Sequence, residues 1–181
     1  MKKTLTRLVL LSLILFNLAL PVQANELDGA SLPWNTKSLP IHLDLAAGQE
    51  IVTKTIQVDA DHYITVTLKE EHECDHMRTT IRRKLTVDYT VLNVTGRVIG
   101  TLTVKGTFDT NGSTSTPVDV YGYGSVVGYD VQNTDNSMGS PGSSSWVSST
   151  LVCVPLDYLA DFSRTCTITC DANGNNSASW N

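Results

Sequence analysis

The sequence predicts an all-β fold: an antiparallel β-sandwich of immunoglobulin-like or similar type, with a barrel as the alternative. Three observations point there. Apolar residues alternate with polar ones almost throughout, at the period of two that a half-buried strand requires. Asn, Asp and Gly clusters break the alternation at short intervals, where tight turns are needed. No long stretch shows the three-to-four spacing of an amphipathic helix.

The N-terminus sets the compartment. Lys2, Lys3 and Arg7 precede the apolar run "LVLLSLILFNLAL", and Pro21 and "VQA" follow it. This is the layout of a secretory signal peptide cut after Ala24. An apolar run from Leu8 to Leu20 is short for a membrane span, which takes about 20 residues. The reading is therefore a signal peptide over 1–24 and a single secreted β domain over 25–181, with no membrane span after cleavage. Residues 1–24 hold three of the thirteen basic residues and none of the eighteen acidic ones. Ten basic against eighteen acidic residues remain, a balance that repels phosphate backbones and anionic lipid surfaces. Nucleic acid is excluded as the expected partner.

Each element follows from its pattern. "LPIHLDLAA" alternates Ile41, Leu43 and Leu45. "IVTKTIQV" and "YITVTLKEEHEC" flank the turn "DADH" and read as a hairpin. "RKLTVDYTVLNV" sets Leu85, Val87, Tyr89 and Val91 on one face. "RVIGTLTVKGTFDT" sets Leu102, Val104 and Phe108 on one face, with Gly100 and Gly106 in the same row. "NVTG" and "DTNG" mark turns. "VDVYGYGSVVGYDV" is strand-like but interrupted by glycines, and residues 132–145, "QNTDNSMGSPGSSS", read as an exposed loop. Trp146 is expected in the core. "PLDYLADFS" is the single short helical candidate. Eight or nine strands result.

Four cysteines, Cys74, Cys153, Cys166 and Cys170, form an even set in an exported chain and read as two disulfides. Cys166 and Cys170 lie on one extended strand, roughly 13 Å apart. Bridged Cα atoms lie within about 7 Å, so these two cannot bond each other. Pairing Cys153 with Cys166 and Cys74 with Cys170 is preferred, on the view that the connection "PLDYLADFS" sets Cys153 opposite Cys166. The pairing of Cys153 with Cys170 and Cys74 with Cys166 stays open.

The stretch "EEHECDHM" (70–77) invites a metal reading. His72, Cys74 and His76 share one strand face, and a thiolate between imidazoles suits zinc. A disulfide at Cys74 removes the soft ligand, so the expected state is a charged strand end around a cystine, with His72 and His76 as weak metal candidates and no cofactor. Glu70, Glu71, Glu73 and Asp75 read as a solvated edge. "DTNGSTS" and "DANGNNS" carry oxygen ligands for calcium but lack the closing glutamate of such loops, and Asp-x-Asn-Gly is first a turn. No nucleophile elbow, zinc-protease helix or phosphate loop is present.

"VYGYG" puts Tyr121 and Tyr123 on one face and Gly122 and Gly124 on the other. An exposed aromatic row can stack on sugar rings. The two tyrosines are the candidate ligand platform. "GTFDTNGSTS" and "CDANGNNS" resemble small secreted β-rich proteins of Gram-positive gut bacteria, over roughly the last half of the chain. That resemblance implies an exported β fold and carries no activity or binding residues. The expected function is a secreted, non-enzymatic binding or adhesion module for a cell-surface glycan or protein. The alternatives are a small secreted hydrolase or metal enzyme built on 70–77, and a secreted effector or toxin.

Overall fold

The computed structural model describes residues 40–73 and 79–181. They form ten strands: β1 (Ile41–Leu45), β2 (Ile51–Gln57), β3 (His62–Glu73), β4 (Ile81–Asn93), β5 (Val98–Thr110), β6 (Ser115–Val126), β7 (Tyr129–Met138), β8 (Ser144–Pro155), β9 (Phe162–Asp171) and β10 (Asn176–Trp180). All pairings are antiparallel. The order across the sheet is β1-β10-β9-β8-β7-β6-β5-β4-β3-β2. The sheet is nearly closed and barrel-like. From β2 to β10 the chain is a meander in which each strand pairs with the next, and β1 folds back beside β10.

The all-β prediction holds, and of the two architectures the barrel alternative fits. An immunoglobulin-like sandwich needs crossover connections between two sheets. Here every strand from β2 to β10 pairs with the next strand along the chain. Alternation alone could not separate the two, because both bury one face of each strand.

On β4 and β5 that buried face is the predicted one. Ile64, Val66 and Leu68 on β3, Leu85, Val87 and Val91 on β4, and Leu102, Val104 and Phe108 on β5 all lie in the core. Trp180 is buried against Tyr89, their rings 5.4 Å apart and tilted. The outer face is laced by threonine hydroxyls paired across strands, at Thr53–Thr67, Thr55–Thr65 and Thr150–Thr165. β-Branched residues favour this pleated surface.

Three expectations are corrected. Most of 132–145 is not loop: β7 runs to Met138 and β8 starts at Ser144. Its backbone is held by β8, from Tyr129–Pro155 to Met138–Val147, although its side chains are largely exposed. Pairing overrides a polar, low-complexity composition. "PLDYLADFS" is bends and strand ends, and no helix occurs among the described residues. Trp146 is exposed; its ring lies over Gly139, where an added Cβ would come within 2.5 Å of the indole Nε1.

The "DANG" and "DTNG" segments are turns, as the tighter reading held. Asp171 Oδ1 accepts N–H bonds from Asn173 and Asn175, and Oδ2 accepts one from the Asn175 side chain. Asn111 Oδ1 accepts from the Ser113 and Thr114 amides. Gly112 and Gly174 supply the positive φ these turns require, 80° and 89°.

Candidate functional site

The outer face of β5 and β6 carries the candidate site. Tyr121 and Tyr123 point outward, 44% and 48% exposed. Their rings stack with centroids 6.1 Å apart and planes 19° from parallel. Lys105, opposite Tyr121 across the ladder, places its Nζ 5.9 Å from one ring and 5.8 Å from the other. Its ammonium faces both π-clouds. The Tyr121 and then the Tyr123 side chain hold the lysine pKa above its ordinary value. Thr103, opposite Tyr123, is fixed by donating its hydroxyl to Asp88 at 2.6 Å.

The alternate glycines have a packing cause. A Cβ on Gly122 would lie 2.6 Å from Ser149 Oγ and 2.9 Å from a Leu151 methyl. On Gly124 it would lie 2.7 Å from a Leu102 methyl. At Gly122 and Gly124 the inward side of this strand has no room for a side chain, so the ring pair rests on a backbone packed directly against the core. Sequence reasoning found the two tyrosines. It missed Lys105, because a cross-strand neighbour depends on register.

The second feature is a buried polar cluster at one end of the barrel. Glu70, read from sequence as part of a solvated edge, instead continues the inward row of Ile64, Val66 and Leu68 and is buried. It forms an ion pair with Arg83 and accepts a bond from Asn176 Nδ2 at 2.9 Å. Arg83 also donates to the Thr110 hydroxyl, and the Ser115 and Ser145 hydroxyls bond each other at 2.8 Å. Glu71, one residue on, is exposed and pairs with Lys69. With its carboxylate committed to a guanidinium and an amide, Glu70 has a structural task here.

Cys74 and His76 lie outside the described residues, and of His72 only its register opposite Arg83 is described. No group of residues able to hold a metal ion is found among the described residues. Cys153, Cys166 and Cys170 are buried free thiols. Cys166 and Cys170 share the inward face of β9. The preferred Cys153–Cys166 pairing does not fit. The β8–β9 register sets Cys153 opposite Phe162 and Cys166 opposite Ser149, four residues apart along the ladder. Cys170, opposite Ser145, is farther still from Cys153. Burial pushes the Cys153 and Cys170 thiols up to about 11, and pushes Cys166 up as well.

A shallow groove of about 450 Å³ lies along β1, β9 and β10, lined by Asp44, Gln49, Thr169, Asp171 and Asn175 among others. The Asp171 carboxylate that borders it is already engaged in its own turn. No described helix is long and apolar enough to cross a membrane. No family model, curated protein or solved structure matches this chain.

Proposed function

We propose that this chain is a secreted, non-enzymatic binding module that engages carbohydrate rings at a cell surface through Tyr121 and Tyr123. The observation that carries the reading is the exposed, stacked ring pair on a rigid strand, with Lys105 beside it. Sugar rings present apolar C–H faces that pack on aromatic planes, and hydroxyls that accept bonds from a neighbouring ammonium. Two rings in one row suit an extended chain of residues better than a single small sugar. The signal-peptide pattern of residues 1–24 supports export.

The test is a glycan array and a cell-wall pull-down with wild-type protein and the Tyr121→Ala/Tyr123→Ala variant. Binding by the wild type that drops at least tenfold in the variant supports the reading. Absence of any glycan ligand, or equal binding by the variant, overturns it.

A further inference from the structure

The two ends of the barrel differ in chemistry. In a meander alternate connections fall at the same end, so 58–61, 94–97, 127–128 and 156–161 share one end. Main-chain bonds tie them into a continuous rim. The Val94 N–H donates to the Asp61 carbonyl, the Val127 N–H to that of Ile99 on β5, and the Leu156 N–H to that of Gly128. Val94, Val98, Val127, Leu156, Tyr158 and Leu159 are all exposed along this rim. Leu156 is 70% exposed and Tyr158 wholly so. The described connections of the opposite end, 46–50, 111–114, 139–143 and 172–175, hold nothing apolar larger than Pro141.

These side chains have no inward task. Tyr129 and Phe162 already pack against the core below them, their rings meeting edge to face at 5.2 Å. A row of exposed apolar residues on tied connections marks an interaction surface. Its charges say which kind. Asp59, Asp61, Asp157 and Asp161 stand on the four connections against one cation, Arg97. A second copy would set carboxylates against carboxylates. A bilayer would have to take in Asp157, which lies between Leu156 and Tyr158, and a carboxylate in hydrocarbon is costly.

We propose that this rim docks an amphipathic segment of a partner protein, apolar along one face and flanked by lysines or arginines. The apolar face covers Val127, Leu156, Tyr158 and Leu159, and the flanking cations meet Asp157 and Asp161. Burial of the apolar side chains gives the affinity, and the charges select the partner. The rim shares no residue with the tyrosine platform, and its test uses no saccharide.

The test is a fluorescence anisotropy titration of a labelled synthetic peptide with leucine on one helical face and lysine on the other. Saturable one-to-one binding is expected, weakening as salt is raised. The Leu156→Ser/Tyr158→Ser variant keeps the net charge and alters only exposed side chains. It should bind about tenfold or more weakly. Asp157→Asn/Asp161→Asn should also weaken binding and remove much of its salt dependence. The same peptide with glutamate in place of lysine should not bind. No binding of the lysine peptide, or equal binding by the serine variant, overturns the proposal. So does pelleting with phosphatidylcholine vesicles, or a doubling of mass in sedimentation, that the serine variant abolishes, because either gives the rim another occupant.

Discussion

Glu70 and Arg83 form an ion pair inside one end of the barrel, where their side chains are 1% and 12% exposed. The pair joins β3 to β4, and through Asn176 it ties both to β10, more than a hundred residues along the chain. Removing one partner strands the other charge without water. Glu70→Ala should cost about 3–5 kcal/mol, whereas replacing both by apolar residues of similar volume should recover much of that loss. Denaturant midpoints of the single and double variants check it; a single variant as stable as wild type would show that the pair is idle.

Gly106 marks a close approach between two faces of the core. A Cβ there would lie 2.7 Å from a Val147 methyl and 3.3 Å from the Phe108 ring. Gly106→Ala should destabilise by about 1–3 kcal/mol through overpacking. Adding Val147→Ala should restore part of it, because the clash is with that side chain. Gly142→Ala meets only ordinary contacts, the nearest at 3.4 Å, and should fall within about 0.5 kcal/mol of wild type. Thermal melts of the three variants decide the point.

The buried thiols should be silent in the folded protein. With Cys153 and Cys170 near 11 and Cys166 raised too, the thiolate that reacts is nearly absent at pH 8. A thiol reagent should modify these three residues only at the rate of unfolding and promptly in denaturant. A raised thiol pKa favours the folded state below the unfolded value of 9.0, and that advantage fades as pH climbs from 9 towards 11. Alkaline unfolding should therefore set in over that window. Rapid labelling of native protein would contradict the burial.

Asp171 predicts the acid side. Burial raises its pKa, but bonds from Asn175, Asn173 and Gly174 outweigh this and hold it below 3.8. A depressed carboxylate stabilises the fold above its unfolded pKa, and the effect is lost as pH falls through the folded value. Asp171→Ala should be less stable than wild type at neutral pH, and the gap should narrow below pH 4. Denaturation curves at several pH values measure it; a constant gap would mean that charge has no part.

The inward rows on β1, β4, β5 and β9 were legible because alternation is a local property. Tyr121 and Tyr123 were legible as a shared face for the same reason. Lys105 was not, since its place beside them is set by the β5–β6 ladder. Nor was the burial of Glu70: a carboxylate in an acidic run reads as solvated until its place in the inward row and its cross-strand arginine are known. The Cys153 register failed similarly, because a hairpin shifted by four residues leaves every inward side chain inward. β7 was hidden by its composition, being a strand whose partner supplies the order its side chains do not.

The meander has a consequence for the order of events in folding. Every pairing from β2 to β10 joins segments adjacent in the chain, so each hairpin can form as soon as its two strands exist. β1 is the exception: Ile41 meets Trp180, and Leu45 meets Asn176. The first strand must wait unpaired, its Ile41, Leu43 and Leu45 uncovered, while nine others assemble. Closing that loop pays its entropy only once, at the end. The strand Asn176–Trp180 thus acts as the latch, and a chain cut short before it would carry the hairpins from β2 to β9 beside an open, apolar first strand.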